Sequence, residues 1–403
     1  MVRGPVADYR VVDMGWVLAG ALPGMVLADL GAEVVKVETQ KVLDNMRQGR
    51  PIVGEKRDPE QNPMFHNVNR SKKSISVDLS QPQGRELIIE LVRISDVVIE
   101  NYSAGVLERL GLDYERLLRV RPDLVMLSIA AVDRRGPLRD LRAYAETITS
   151  LSGLDAMAGY PGVRPLGVRL AYGDVSAAMH AVTALLAALH WRRETGQGAH
   201  IHVSMVGSTL ATLGQAFMEH QMTGRAIQPR ANYDPAAAPY NNYPCREDDT
   251  WLAIAVRSDD EWRGMCAAMG NPPWTQKPEF RTLYGRLTHR NELDVHVAAW
   301  TREQDAGDAA ATLQQHGVAA FPVMKAEDRF FDPHFQERGL YKEIEHPVLG
   351  VEPIFNLPWK METPPQIRRR APLLGEDNHY VFSQVLGLTP AQLQRLEQDK
   401  VLH

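Results

Sequence analysis

Val11-Val12-Asp13-Met14, then Ala21 to Leu30 followed by Gly31, then Val34-Val35-Lys36-Val37-Glu38 are the stretches whose reading decides the fold. The first and last are short, β-branched apolar runs. The middle stretch reads as a helix, with Gly31 placed to end it. A strand, a helix and a second strand this close together predict a parallel pair joined by a right-handed crossover. The pattern continues: Ser74 to Leu79 reads as a strand, Gly84 to Ile94 as a helix, and Asp96 to Glu100 and Leu124 to Ile129 as strands. Strands alternating with helices predict an α/β fold with Rossmann-like organisation.

Farther on, Val175 to Trp191 is Ala- and Leu-rich with few polar residues, and predicts a long, largely buried helix. Thr195-Gly196-Gln197-Gly198 reads as a turn, and His200 to Met205 alternates like a strand. From Gln228 to Tyr243, Pro, Ala, Asn and Tyr dominate without a period, as expected of a linker to a second domain. That domain starts at the strand Trp251 to Val256 and runs to about Val323. Asp328 to Arg370 reads as an extended return path, and Ala391 to Asp399 as a terminal helix.

The chain has 403 residues, 44% hydrophobic and 24% charged, enough for two domains with a large core. A formal net charge of −5 argues against nucleic acid or an anionic membrane as partner, while leaving room for a local phosphate site. The two cysteines, Cys245 and Cys266, form neither a disulfide framework nor a zinc pattern and read as reduced residues. No apolar signal core opens the chain and no run of membrane-spanning character stands out, so a cytoplasmic location is expected.

Gly15-Trp16-Val17-Leu18-Ala19-Gly20 follows the first strand but lacks the dinucleotide fingerprint. It is an ordinary strand-to-helix loop or a set of backbone N–H groups suited to phosphate. Asn69-Arg70-Ser71-Lys72-Lys73 is a solvated basic run or a phosphate site. Arg142 is a lone cation. His200 and His202 share one strand face, with no third ligand at metal spacing, so no metal is expected. Asp174, in Tyr172-Gly173-Asp174-Val175, opens the long helix. An aspartate there serves as an N-cap. A carboxylate held ionised at the positive helix end and shielded from water can also be a nucleophile.

Several segments, in order along the chain, resemble the family III CoA-transferases, the formyl-CoA transferase and carnitine CoA-transferase-like (CaiB/BaiF) superfamily. They are Val12-Asp13 with Ala19-Gly20, Asp29 to Glu38, Asn69 to Ile75, Glu100-Asn101-Tyr102, Leu110-Gly111-Leu112, Gly173-Asp174, Thr195 to Gly198 and Leu374-Gly375-Glu376. The resemblance runs from about residue 9 to about residue 390. It implies a large Rossmann-like domain from residues 1–225 and 330–403, with the linker and a small α/β domain in 226–329. It also implies an interlocked, ring-like homodimer, or a heteromer with a related subunit.

The resemblance carries the family's nucleophile onto Asp174. It carries CoA contacts onto Val17, Leu18, Ala19, Val77 to Ser80, Asn101, Tyr102, Ser103, Arg109, and Arg142 to Ala145, with Arg109 and Arg142 expected to meet phosphates. CoA enters as the thioester substrate, with no metal. The expected reaction moves CoA from an acyl-CoA donor, succinyl-CoA, to a carboxylic acid such as a substituted succinate, benzylsuccinate included. It passes through an aspartyl anhydride and an aspartyl-CoA thioester. Leu18 and Ala145 stand where the formyl-CoA enzymes carry glutamine and glutamate, and Asp234 to Asn242 lacks the glycines of their closing loop, which points away from formate and oxalate. Two rivals follow: an acyl-CoA racemase, whose histidine falls near Tyr144, and a CoA-binding partner subunit. No histidine lies between His66 and His180, and Asp174 is present, which weighs against each in turn.

Overall fold

The computed structural model describes residues 3–48 and 58–403. Its contacts divide the chain into two compact units. One holds residues 1–155, 167–227 and 336–403; the other holds 156–166 and 228–335.

The larger unit is built on a parallel six-stranded sheet: β1 (Arg10–Asp13), β2 (Glu33–Glu38), β3 (Lys73–Ser76), β4 (Val97–Glu100), β5 (Val125–Ala130) and β6 (Ala199–Ser204). Its spatial order is β3-β2-β1-β4-β5-β6, so the direction of winding reverses between β1 and β4. Both faces of the sheet are covered, and the strand sequences show why. Val11, Val34, Val97 and Val125 point into one core with the first helix (Val17–Asp29) and the long helix (Tyr172–Thr195). Their neighbours Val12, Val35, Val98 and Met126 point into another, shared with Ile88, Val92, Phe382 and Leu402. Continuous apolar strands follow from burial on both sides. The chain end returns to β3: the Ser74 and Ser76 N–H groups donate to Asp377 and Asn378, and Val77 bridges Leu402.

The long helix, expected to be largely buried, is buried along one side. Ala177, Ala178, Ala181, Leu185 and Leu189 face the core, while Val175, Met179 and Trp191 are exposed. Its Ala-rich stripe lets it lie close along the first helix, while the exposed side mixes these apolar residues with His180, Thr183 and His190. By length and composition alone it is apolar enough to cross a bilayer.

The return path is also more regular than predicted. It forms two short helices (Ala326–Phe331 and Pro333–Glu337), the second running into residues of the larger unit. There the antiparallel hairpin β10 (Tyr341–His346) and β11 (Gly350–Phe355) follows. Charged strand residues and Pro353 hide it from a pattern search. A two-stranded sheet consists only of edges, where proline is tolerated.

The smaller unit holds the antiparallel sheet β7 (Tyr240–Pro244), β8 (Trp251–Ala255) and β9 (Ala319–Pro322). Helices Asp259–Ala268 and Ala306–Gln315 supply Trp262, Met265 and Leu313 to its core. The end of the expected linker is therefore strand β7. Cys245 and Cys266 are buried, and burial pushes both thiols up, away from the nucleophilic thiolate.

Candidate active site

The sheet's winding reverses between β1 and β4, and in such sheets ligands bind beyond the carboxyl ends of the strands at that point. The segments following those two strands are Gly15 to Ala19 and Asn101 to Ser103. Side chains clamp the first of these tightly. Asp13 accepts from the Gly15 N–H at 2.9 Å, and Lys36 Nζ donates to the Gly15 carbonyl at 2.7 Å. Asn101 accepts from Trp16 N–H at 2.8 Å and donates back to the Trp16 carbonyl at 2.9 Å. A Cβ on Gly20 would stand 2.6 Å from Asn101 Oδ1, so only glycine permits this clasp. The Asp44 carboxylate takes the Val17 N–H at 3.2 Å. Val17 has φ +56°, an unfavourable conformation for a β-branched residue that persists because the surroundings over-determine it.

This corrects the phosphate reading of the loop. The N–H groups of Gly15, Trp16 and Val17 are already taken by Asp13, Asn101 and Asp44, and that of Ala19 faces Asp174. The positive end of the first helix is thus directed at a carboxylate of the protein itself.

Asp174 lies in the first turn of the long helix, not at its N-cap, which is Ala171. Gly173 makes this possible: a Cβ there would stand 2.5 Å from Ile148 of the helix Ala145–Leu151, so only glycine lets the two helices meet. The Asp174 carboxylate is 8% exposed, and its Oδ2 is buried without a hydrogen-bond partner. Burial raises its pKa to about 6; the N–H groups of Asp174 and Ala19 oppose the rise, and the Glu146 carboxylate adds to it. Desolvation thus outweighs the two backbone N–H groups at the helix starts. The group is still mostly ionised at neutral pH, with a high-energy, unsolvated oxygen.

A cleft of about 300 Å³ opens at the same end of the sheet. Trp16, Glu38, Lys41, Asp78, Ser80 and Tyr102 are among its lining residues. Burial alone would raise Asp78; hydrogen bonds from Lys41, Ser80 and Gln81 outweigh it and hold the carboxyl well below its usual range. Lys41 donates to Asp78 at 2.5 Å and to Ser80 at 3.3 Å, yet stays half exposed. Sequence reading missed this cation, since a single lysine after a strand carries no motif.

The expected site residues separate into groups. Val77, Ser80 and Tyr102 line the cleft with Leu79. Ala19 meets Asp174, and Ala145 begins the helix whose Glu146 acts on it. Val17, Leu18 and Asn101 form and brace the loop between the two. Ser103, Arg109 and Arg142 are not buried, and neither guanidinium makes an ion pair among the described residues. Arg109 adjoins Leu110 of the cleft lining.

The basic run before β3 is neither a solvated face nor a phosphate site. Lys72 is fully buried and donates to Asp13 at 2.7 Å; Arg70 pairs with Asp29 at 2.8 Å and Lys73 with Glu33 at 2.9 Å. The rings of His200 and His202 lie 4.0 Å apart, tilted by 43°, with His200 Nε2 2.9 Å from Ser128 Oγ.

Comparison with known proteins agrees with this architecture. The profile of CoA-transferase family III matches residues 6–378. The chain is 34% identical over 399 residues to the succinyl-CoA–D-citramalate CoA-transferase of Chloroflexus aurantiacus, covering 99% of this chain and 98% of that one. It is 32% identical to the succinate–glutarate CoA-transferase of Agrobacterium fabrum, covering 95% and 96%. The crystal structure of a CaiB/BaiF family protein from Brucella suis superposes with a TM-score of 0.88 at 29% identity, covering 95% of this chain and all of that one. With its strand order, its clamped loop and its matched length, the chain belongs to CoA-transferase family III and is an enzyme of that class.

Proposed function

We propose that this enzyme moves CoA from succinyl-CoA to a short dicarboxylic acid through covalent intermediates on Asp174. The observation that carries the reading is the buried, unpartnered Oδ2 of Asp174 at the meeting of two helix N-termini. The donor and acceptor class rest on the two relatives, whose names pair succinyl-CoA or succinate with citramalate and glutarate.

Asp174 attacks the thioester carbonyl of the donor, and the C–S bond breaks to give an anhydride and CoA thiolate. The thiolate attacks the aspartyl carbonyl, releasing succinate and leaving an aspartyl-CoA thioester. The acceptor carboxylate displaces CoA to form a second anhydride. The thiolate then attacks the acceptor's acyl carbonyl, which regenerates Asp174 and releases the new acyl-CoA. The Ala19 N–H is positioned to stabilise negative charge on the Asp174 carboxyl oxygen in the two states where the aspartyl carbon is tetrahedral. Every intermediate is hydrolysable, so the site must be dry, and burial of Asp174 supplies part of that shielding. CoA occupies the cleft beside Ser80 and Tyr102, with Lys41, Arg109 and Arg142 available to its phosphates.

The test is peptide mass spectrometry after mixing the protein with succinyl-CoA, citramalyl-CoA, glutaryl-CoA and benzylsuccinyl-CoA, trapping with borohydride or hydroxylamine. A modification on the Asp174 peptide, absent in Asp174→Ala, is expected with succinyl-CoA. Label on another peptide would move the nucleophile there, and no label in protein that binds CoA would reject Asp174 as nucleophile and favour the racemase or partner-subunit readings. Label from benzylsuccinyl-CoA but not from the shorter acyl groups would move the acceptor to the aromatic class.

A further inference from the structure

The larger unit contains a second buried polar centre that the transfer reaction does not use. His66 lies on the helix Pro63–Asn69, while His346 and Glu352 lie on the hairpin β10–β11. His346 pairs with Gly350 and Ile344 with Glu352, so His346 and Glu352 are diagonal neighbours on one hairpin face. The three residues are 1%, 1% and 6% exposed. One ligand-type atom from each lies within 4.8 Å of the others.

Their hydrogen bonding does not close. A neutral imidazole carries one N–H. Yet both ring nitrogens of His66 face oxygen acceptors: Nε2 lies 3.1 Å from the Glu60 carbonyl and Nδ1 lies 2.8 Å from Glu352 Oε2. The Nε2 contact is the backbone bond that a metal-ligating histidine makes with its other ring nitrogen. With that bond made, Nδ1 meets the Glu352 carboxylate with a hydrogen only if the ring carries a second proton, and a metal ion is the other cation that answers the contact. Glu352 Oε1 and His346 Nε2 are buried with no partner at all. The His346 ring stacks on His66 at 4.1 Å, with Val348 N–H 3.3 Å from Nδ1.

We propose that His66, His346 and Glu352 bind one divalent transition-metal ion of the zinc class, which ties the C-terminal hairpin to the helix Pro63–Asn69. Two imidazoles and one carboxylate suit zinc or cobalt better than calcium or magnesium, which take oxygen ligands. Donors about 2 Å from one ion stand roughly 3.3 Å apart, so His66 Nδ1 and Glu352 Oε2 open from 2.8 Å, the wider pairs within 4.8 Å close, and the stacked rings turn to share the ion. With three protein donors out of water, the role is structural, separate from Asp174.

The experiment uses the tag-free full chain, stripped with chelator and dialysed against zinc or cobalt. One equivalent of zinc per chain is expected by elemental analysis, with cobalt absorption bands of a nitrogen- and oxygen-ligated site. Saturating zinc is expected to raise Tm by about 3 °C or more. His346→Gln and Glu352→Gln, which keep side-chain volume, are expected to weaken binding at least about tenfold. No metal above background in the folded wild-type chain would overturn the proposal, and so would binding that both variants retain. Neither result bears on labelling at Asp174, so the two readings stand or fall separately.

Discussion

At the residue scale, the burial that makes Asp174 costly in the fold is what suits it to the nucleophilic role we propose for it. Its folded-state pKa of about 6 lies above that of a free carboxyl, so the charged form opposes folding at neutral pH, and that penalty fades as pH falls through 6. Asp174→Asn is therefore expected to stabilise the protein at pH 7.5 by about 1–3 kcal/mol while abolishing turnover. Urea unfolding at pH 7.5 and pH 5 checks this; the gain must shrink at the lower pH. A nucleophile must be ionised, so the wild-type rate of Asp174 labelling should fall as pH drops below about 6, and a pH-independent rate would sink the assignment. Position and type of this residue were legible in Gly173-Asp174. Its raised pKa was not, because desolvation depends on what the first helix and the helix Ala145–Leu151 place over it.

At the scale of elements, buried ion pairs rather than surface charges organise the carboxyl end of the sheet. Lys72 reaches from the start of β3 to Asp13 at the end of β1, and the same ammonium donates to the Ala21 carbonyl in the first helix at 2.8 Å. It thereby fixes two strands and a helix around the loop that faces Asp174. Removing one partner of a buried pair leaves the other charge unsolvated, which costs about 3–5 kcal/mol. Lys72→Met should lower stability by that order, while CoA affinity per folded molecule stays within about twofold; a phosphate-binding lysine would show the reverse. Calorimetric unfolding together with CoA titration separates the two. The sequence offered a basic run and no means of telling inside from outside, since the acidic partners lie 41 and 59 residues away.

For the whole molecule, the long helix and the helix Gly214–Thr223 each leave large apolar side chains exposed among the described residues. Met179, Trp191, Phe217, Met218 and Met222 are all exposed, more than isolated surface apolar residues require. A second copy of the chain, as the family resemblance implied, is the occupant we propose. Met218→Glu with Met222→Glu is expected to reduce the assembled mass in light scattering from a dimer to a monomer. An unchanged dimer would place the interface elsewhere.

The sequence by itself determined the alternation of strands and helices, the parallel sheet and the family, because period, glycine stops and ordered motifs are local signals. It also marked Asp174, since a glycine–aspartate pair opening an apolar helix is visible in a few residues. Tertiary structure alone decided which charges are buried, which N–H groups remain free for a ligand, and which face of the long helix is bare. It alone brought His66 beside His346 and Glu352, 286 residues away from the latter. These are properties of desolvation and long-range proximity, which arise only when segments distant in the chain exclude water from one another.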